Sequence, residues 1–279
     1  MLRDAGLVDR VMVMDKYLFD DATGFLHLRN VAGLARLGLS LRRERFDAAL
    51  LLHHLITWPG VAKYAALMWA TRSPLRLGLD DGRGGFLNRS APDLGFGARH
   101  EVEYCLDVVG LVGAVNPDPR VRLHWSSEDD AWARERWDAL GLGPNARVVA
   151  VHPGTGDYSP ARRWAADRFA AVADALAEDG LIPMVVAGPG EEDLARQVLG
   201  MSSARGRLLA AVPTIHRLAA ILSRCLLYVG NDSGVTHAAA AAGVPVVAIF
   251  GPSNHRAWAP YDPDGRRTRI VRLDLPCSP

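Results

Sequence analysis

Residues 226–253, LLYVGNDSGVTHAAAAAGVPVVAIFGPS, contain the clearest structural pattern in this chain. Leu226 to Gly230 form an apolar run that is too short for a helix, and turn-forming residues follow it, so a strand and a turn are predicted. Thr236 to Ala242 are rich in alanine and end at a glycine, which predicts a short buried helix. Val244 to Phe250 contain β-branched residues and predict a second buried strand. We therefore expect strand, turn, helix and strand in that order.

The turn between the first strand and the helix is typical of an anion-binding site. The first backbone N–H groups of a helix have no partner inside the helix, and the helix dipole adds partial positive charge there. Gly234 lets a ligand approach the backbone, Ser233 offers a hydroxyl group, and His237 is able to face the same ligand. A plain helix cap at Asp232 or Ser233 explains one of these residues but not the whole polar cluster. A ligand site is therefore favoured over a cap.

Composition excludes several classes of protein. The 279 residues are enough for two domains, and 49% hydrophobic with 23% charged residues is typical of a soluble globular protein. A net charge of +1 provides no basic field for nucleic acid. The three cysteines lie far apart without a C-x-x-C pair, which fits a reducing cytoplasm. No apolar run approaches the roughly 18 residues needed to span a bilayer, and no signal-peptide core begins the chain, so we expect a cytoplasmic protein.

The C-terminal half alternates apolar strands with helices. The predicted strands are 147–152, 182–187, 208–212, 226–229, 244–250 and 268–273. This alternation predicts a parallel sheet that is covered by helices on both faces. Such sheets bind ligands at the carboxyl ends of their strands, where this sequence has polar or glycine-bearing loops. The predicted binding rim consists of loops 152–155, 188–191, 231–234 and 251–253.

The N-terminal part is less regular. Its predicted strands are 10–14, 47–54 and 76–79, and its predicted helices are 26–45, 57–70 and 100–111, with a loop from residue 80 to 98. Trp58, Tyr64 and Trp69 form either an aromatic acceptor-binding face or, more commonly at such spacing, part of a core. Two prolines within residues 113–123 predict a boundary between domains 1–123 and 124–279. Residues 128–140 follow a capping-box pattern and predict a helix.

Some familiar signatures are absent. The dinucleotide pattern G-x-G-x-x-G and the P-loop do not occur. Ser233 stands on a strand-to-helix turn as a hydrolase nucleophile would, but its surroundings are off by one residue from G-x-S-x-G. Asp262-Pro263-Asp264 matches a D-x-D metal pattern, yet a turn explains it more simply. No metal ligand is therefore predicted.

The block Asp232-Ser233-Gly234-Val235-Thr236-His237 resembles a C-terminal signature of the ADP-heptose:lipopolysaccharide heptosyltransferase family, glycosyltransferase family nine, and carries most of the resemblance. Further matches are Phe46-Asp47 with Leu52-His53, Arg76-Leu77-Gly78, His152-Pro153-Gly154-Thr155, Arg162-Arg163-Trp164, Gly243-Val244-Pro245, Phe250-Gly251-Pro252-Ser253, Trp258 and Pro276-Cys277. Together they extend over most of the chain.

The resemblance implies an α/β protein with two Rossmann-like lobes, the glycosyltransferase B fold. It implies inverting transfer of a heptose-like sugar from a nucleotide diphosphate to a glycan or lipopolysaccharide-core acceptor, without a metal or cofactor. The C-terminal lobe would hold the donor and the N-terminal lobe the acceptor. Peripheral contact with a membrane is compatible with this function.

The resemblance also implies roles for particular residues. The donor-binding residues would be Thr155, Arg162, Glu191, Asp232, Ser233, Gly234 and His237. Arg162 stands where the family usually has a lysine, and Arg163 beside it leaves the match open by one position; a solvated loop charge is the alternative. Glu191 would reach the nucleotide ribose, although the helix dipole also accounts for a glutamate at that position.

One segment of the family pattern is missing from this sequence. Family members open with a strand and a glycine-aspartate turn, and that aspartate is taken as the catalytic base. The first nine residues, MLRDAGLVD, do not match it, so we expect an incomplete N-terminal lobe and assign no catalytic base. Two functions lead: an N-terminally shortened glycosyltransferase, or a non-catalytic module that binds a nucleotide sugar. A hydrolase that uses Ser233 is a third and weaker option. The donor sugar, the nucleotide base, the acceptor and the oligomeric state are not indicated.

Overall fold

A computed structural model of the chain describes residues 8–13, 27–156 and 160–275. The chain divides into two compact units: Val11–Asp118, and Pro119–Pro279 together with the residues up to Arg10. This boundary lies after Asp118, whereas the sequence pattern places it after residue 123. The strand predicted at residues 10–14 is wrong for residues 10–13, which form no strand, and Met14 lies outside the described residues.

The C-terminal unit is built on a six-stranded sheet. Its strands are β4 (Val148–His152), β5 (Ile182–Val186), β6 (Arg207–Leu209), β7 (Leu227–Asn231), β8 (Val246–Ile249) and β9 (Thr268–Val271). Its helices are α4 (Ser127–Ala139), α5 (Ala166–Glu178), α6 (Glu192–Met201), α7 (Ile215–Leu222), α8 (Gly234–Ala241) and α9 (His255–Trp258). All neighbouring strands are parallel. The six predicted strands and the parallel sheet are thus confirmed.

Both faces of this sheet are buried, which explains the continuous apolar character of its strands. In β4, Val148 and Ala150 pack into one hydrophobic core, while Val149 and Val151 pack into a second core. Successive side chains of a strand point to opposite faces, so both sets must be apolar when helices cover both sides. Of the helices, α4, α7 and α8 contribute to the first core, and α5 and α6 contribute to the second.

The strand order places a crevice between β4 and β7. The sheet order is β6-β5-β4-β7-β8-β9, so the chain winds outward from β4 in one direction and from β7 in the other. His152, the last residue of β4, is in register with Gly230 of β7. Loops that leave two such strands diverge to opposite faces, and this reversal is where doubly wound sheets bind ligands.

The N-terminal unit contains, among its described residues, a three-stranded parallel sheet in the order β1-β2-β3. Its elements are α1 (Leu28–Arg43), β1 (Ala48–Leu51), α2 (Trp58–Ala70), β2 (Leu75–Asp80), β3 (Arg89–Pro92) and α3 (Glu101–Gly110). The three predicted helices are confirmed, and Thr57 caps α2 as expected.

Two expectations for the N-terminal unit are wrong. The predicted loop from residue 80 to 98 contains β3, which has no apolar pattern because only Ala91 of its residues is buried. Its proline is tolerated at the end of an edge strand. Trp58 and Trp69 are 70% and 58% exposed and do not belong to the core of this unit, whereas Tyr64 packs against it as the core alternative predicts. A surface tryptophan and a core tryptophan have the same helical spacing, and the pattern does not distinguish them.

Candidate functional site

A cavity of about 560 Å³ opens at the carboxyl edge of the six-stranded sheet. The loops that follow β4, β5, β6 and β7 all contribute to its lining. Its polar residues include His152, Thr155, Glu191, Thr214 and Ser233. Its apolar residues include Val186, Val212, Pro213, Ile215 and Leu218. A cavity of this size, with a mainly apolar wall and a few polar groups, is typical of a small-molecule site.

The start of α8 opens on this cavity. Ser233 has extended backbone angles, and its Oγ accepts a hydrogen bond from the Thr236 N–H at 3.4 Å, so Ser233 is the cap of the helix. Ser233, Gly234 and Val235 line the cavity. A Cβ on Gly234 would meet no atom within 4 Å, which leaves this side of the backbone open to a ligand. The partial positive charge of a helix start therefore faces the open space, as predicted from the turn.

Glu191 ties two of the cavity loops together. Its carboxylate is 6% exposed and accepts hydrogen bonds from the N–H groups of Gly156 at 2.6 Å and Gly188 at 3.0 Å. Its Oε2 also lies 2.9 Å from Nε2 of His152. Burial acts to raise the pKa of Glu191, but the hydrogen bonds from His152 and Gly156 outweigh it and lower the pKa to about 2. The helix dipole alone does not explain this residue, because its carboxylate bonds the loops after β4 and β5.

His152 connects Glu191 to the start of α8. The imidazole is 1% exposed, and its Nδ1 lies 3.3 Å from Oγ of Ser233. Ser233 Oγ lies 3.1 Å from Oγ1 of Thr236, which in turn lies 3.0 Å from the hydroxyl group of Tyr228. These groups form one buried polar network beneath the cavity, and each of them has a hydrogen-bond partner, as buried polar groups require.

Arg162 and Asp232 form an ion pair beside the cavity. Arg162 Nη1 lies 3.0 Å from Asp232 Oδ2, and the side chains are 22% and 5% exposed. Asn231 holds the segment that carries the arginine: its amide donates to the Pro153 carbonyl at 2.8 Å, and its Oδ1 accepts from the Trp164 N–H at 3.1 Å. Arg162 is thus not a solvated loop charge, and the structure selects Arg162 over Arg163 as the partner of Asp232.

Four of the seven residues predicted to bind the donor line the cavity, namely Thr155, Glu191, Ser233 and Gly234. The other three do not. His237 is half-buried, and its N–H donates to the Ser233 carbonyl at 3.4 Å. Asp232 is buried against Arg162, which lines a second cavity of about 780 Å³.

The predicted rim of four loops is wrong in one part. Gly251 and Pro252, from the fourth loop, line the second cavity and not the first. That loop follows β8, whereas the first cavity lies over the ends of β4 to β7. The three other predicted loops do meet at the first cavity.

Sequence reasoning did not assign a role to two buried residues of the site, His152 and Asn231. Each is the last residue of an apolar strand, and each is 1% exposed or less. The signal was a polar residue that ends an apolar strand at the ligand-binding edge, because such a residue needs a partner from a neighbouring loop.

The described residues provide no sign of a metal site or of a membrane span. Within residues 8–13, 27–156 and 160–275, no group of three or more His, Cys, Asp or Glu residues could hold a metal ion. Asp262 of the D-x-D pattern accepts hydrogen bonds from the N–H groups of Arg267 and Thr268, at 2.7 and 2.8 Å, which confirms the turn. Among the described helices, none has the length and apolar character needed to cross a membrane.

Comparison with solved structures identifies the class of protein. The chain superposes on the glycosyl transferase family 9 structure from Veillonella parvula with a TM-score of 0.72 and 23% identity, over 88% of this chain and 69% of that one. It also matches the Escherichia coli ADP-heptose lps heptosyltransferase II, with a TM-score of 0.63 and 22% identity, over 89% of this chain and 75% of that one. The chain is an α/β protein with two Rossmann-like units of the glycosyltransferase B fold.

Sequence comparison identifies the family. The family model described as glycosyltransferase family 9 (heptosyltransferase) matches residues 34–279, so the chain belongs to this family. Lipooligosaccharide heptosyltransferase 2 from Campylobacter jejuni is 32% identical over 143 residues, which cover 50% of this chain and 44% of that protein. The chain spans about half the length of the first curated relatives it matches.

Proposed function

We propose that this chain binds a nucleotide diphosphate sugar in the 560 Å³ cavity and transfers its heptose-like sugar to a glycan or lipopolysaccharide-core acceptor. Transfer would invert the anomeric centre and need neither a bound metal nor a cofactor. The observation that carries this proposal is the start of α8, where Ser233 and Gly234 open on a ligand-sized cavity at the reversal of strand order. Membership of the heptosyltransferase family supports the choice of sugar and acceptor.

The site supplies groups for each part of such a donor. The diphosphate would meet the N–H groups at the start of α8 and the hydroxyl of Thr155, and Arg162 would add positive charge beside them. The base would lie against the apolar wall at Val212 and Leu218. This arrangement stabilises the negative charge that develops on a departing diphosphate.

Glu191 is suited to bind the ribose. A carboxylate has about four acceptor positions. Three of them are used by Gly156, Gly188 and His152, so one remains for a ribose hydroxyl. The Glu191 side chain can therefore hold the two loops together and bind the donor at the same time.

The acceptor side is proposed from the family alone. The N-terminal unit would bind the acceptor in the cytoplasm, with peripheral contact to a membrane where the acceptor is a glycolipid. No catalytic base is assigned. The glycine-aspartate segment that the family resemblance implies does not occur in the first nine residues of the sequence.

A binding experiment tests the donor site. Gly234→Leu should weaken ADP-heptose binding by at least about tenfold, because the leucine side chain would occupy part of the cavity in which the donor would bind. The substitution should leave the fold intact, since no atom lies within 4 Å of a Cβ at this position. Gly200→Leu is the matched control, since Gly200 is also an exposed glycine in a helix of the same unit with no atom within 4 Å of a Cβ. Isothermal titration calorimetry measures both affinities.

Equal affinity in both variants, or no binding to the wild-type chain, would overturn the proposed site. Transfer is measured separately with radiolabelled ADP-heptose and a lipopolysaccharide-core acceptor. Binding without transfer would favour the second function considered from the sequence, a non-catalytic nucleotide-sugar-binding module.

A further inference from the structure

Helix α2 of the N-terminal unit exposes an uncharged face. The exposed residues of this helix are Trp58, Pro59, Ala62, Ala66 and Trp69. The two tryptophans lie about 20° apart around the helix axis and about 16 Å apart along it, at about 100° and 1.5 Å per residue. Ala62 and Ala66 lie between them on the same side. A tryptophan therefore stands at each end of one exposed apolar stripe.

The other side of α2 is fixed in the core of the unit. Val61 and Met68 belong to a hydrophobic cluster that also contains Leu55 and Phe86. Lys63 is the only charged residue of the helix sequence, and it is 5% exposed. A helix that is apolar on every side is normally buried on every side. The exposed stripe of α2 is therefore suited to contact with an apolar partner.

The apolar surface continues before the start of α2. Ile56, which precedes Trp58 by two residues, is 61% exposed. Its carbonyl accepts a hydrogen bond from the guanidinium of Arg83, and Arg83 is paired with Asp81. The loop after β2 thus holds Ile56 beside the stripe, and the two charges of that loop neutralise each other.

Positive charge borders the other end of the stripe. No aspartate or glutamate occurs in residues 48–79. Arg72 is exposed just beyond the last turn of α2, and the guanidinium carbon of Arg76 lies 4.2 Å from the centroid of the Trp69 ring. Arg76 also donates to the Phe86 carbonyl at 2.8 Å, which holds it over the ring. An apolar stripe that ends in arginines matches a surface with anionic groups outside and apolar groups inside.

We propose that the stripe formed by Trp58, Ala62, Ala66 and Trp69 docks the chain on a bilayer that contains anionic lipids. Tryptophan prefers the boundary between the headgroups and the acyl chains. Arginines beside an apolar helix face bind the lipid phosphates. The helix lies parallel to the bilayer, because both of its ends carry an inserted tryptophan on the same side. The proposal rests on the proposed function for the presence of a glycolipid acceptor.

A second copy of the chain is a less suitable occupant of this surface. A two-fold interface is formed by the same surface of both copies, so Arg72 and Arg76 of the two copies would share one interface. Residues 48–79 provide no carboxylate to pair with them. Lipid phosphates supply that negative charge, and the acyl chains cover the tryptophans.

Docking is measured by flotation of the chain with vesicles of phosphatidylethanolamine and phosphatidylglycerol, without donor or acceptor. The wild-type chain should float with these vesicles, and its binding should weaken at high salt. The double variant Trp58→Ser, Trp69→Ser should bind them at least about tenfold more weakly, because two aromatic side chains no longer insert. Trp58→Ser alone leaves the contact between Arg76 and Trp69 in place and should weaken binding by at least about threefold.

Two further variants separate insertion from charge. Trp258→Ser is the matched control, because Trp258 is a tryptophan of the C-terminal unit that is 46% exposed, and its vesicle affinity should equal that of the wild type. Arg72→Gln should lower the affinity for the anionic vesicles by about fivefold and leave binding to phosphatidylcholine vesicles unchanged. Brominated acyl chains should quench tryptophan fluorescence in the wild-type chain and quench it less in the double variant.

Two results would overturn the proposal: no flotation of the wild-type chain, or equal losses in the double variant and in Trp258→Ser. A dimer of the wild-type chain in sedimentation velocity that the double variant does not form would also overturn it, because a second copy would then cover the stripe. ADP-heptose titrations keep the proposed function apart. Donor binding without vesicle binding leaves the donor site standing, and vesicle binding without donor binding overturns the donor site alone.

Discussion

At the scale of single residues, the pair formed by Arg162 and Asp232 sets the charge beside the cavity. The Asp232 side chain is 5% exposed, and a buried carboxylate without a partner is strongly unfavourable. Arg162 lies 3.0 Å from this carboxylate and neutralises it, and the Arg162 side chain is 22% exposed. An arginine has five N–H donors in a planar fork, a geometry that suits a carboxylate and a phosphate alike.

We expect Arg162→Ala to lower the affinity for ADP-heptose by about ten- to hundredfold, because it leaves the buried Asp232 carboxylate unpaired next to the proposed diphosphate position. Arg163→Ala is the control, because the hydrogen bond recorded for the Arg163 side chain runs to the Gly156 carbonyl at 3.5 Å. The affinity of the Arg163→Ala variant for ADP-heptose should change by less than about threefold. Equal losses in calorimetric titrations of the two variants would show that Arg162 has no special place in the donor site.

At the scale of elements, two glycines allow the loops after β4 and β5 to close around Glu191. A Cβ built on Gly154 would lie 2.1 Å from the Glu191 carboxylate, and one built on Gly188 would lie 2.6 Å from it. Neither clash is relieved by a small movement, because the carboxylate is held by His152 and two backbone N–H groups. Glycine is therefore required at both positions for close approach and not for a positive φ angle.

Gly154→Ala should lower the free energy of unfolding by about 1–3 kcal/mol, since Glu191 must leave buried hydrogen bonds to make room. Urea denaturation followed by circular dichroism measures the change. Gly200→Ala should instead leave stability unchanged or raise it by about 0.5–1 kcal/mol, because Gly200 lies in helix α6 with open space around it. A Gly154→Ala variant as stable as the wild type would show that Glu191 does not hold these loops together.

At the scale of the whole molecule, the two units contain buried ionisable groups with opposite pH dependence. His54 of the N-terminal unit lies between Asp93, at 2.7 Å, and Glu101, at 3.1 Å. Burial acts to lower the pKa of His54, but the hydrogen bond to Asp93 and the charge of Glu101 raise it above the usual value of 6.5. Glu191 of the C-terminal unit has its pKa lowered to about 2.

The signs of these shifts predict two separate losses of stability. His54 stabilises the folded chain below its unfolded pKa, and this contribution is lost as pH rises through the raised pKa. Glu191 stabilises it above an unfolded pKa of 4.5, and this contribution is lost as pH falls toward 2. Melting temperatures measured by calorimetry should therefore decline as pH falls toward 2 and also as pH rises above the usual histidine pKa of 6.5.

Variants assign each loss to its residue. His54→Gln should flatten the decline on the alkaline side, and Glu191→Gln should flatten the decline on the acid side. Each variant should leave the other limb unchanged, because the two residues belong to different units. A Glu191→Gln variant with the acid limb of the wild type would mean that other carboxylates dominate acid unfolding.

Much of the C-terminal unit was predictable because its signals are local. Alternating apolar runs, glycine stops and the capping residues Ser126, Thr214 and Ser233 locate its strands and helices within a few residues. The position of the cavity at the carboxyl edge of the sheet was also predictable, because parallel sheets bind ligands at the carboxyl ends of their strands. The N-terminal unit was less predictable, since β3 has little apolar character and the exposure of Trp58 depends on which side of α2 faces the core.

The sequence by itself determined the α/β class, the family and the position at which α8 begins, because these depend on neighbouring residues. Only the tertiary structure decided which side chains meet. His152 and Glu191 are 39 residues apart, and Arg162 and Asp232 are 70 residues apart. Their contacts exist because β4 pairs with both β5 and β7. Strand order is a property of the packed sheet, and no local pattern in the chain specifies it.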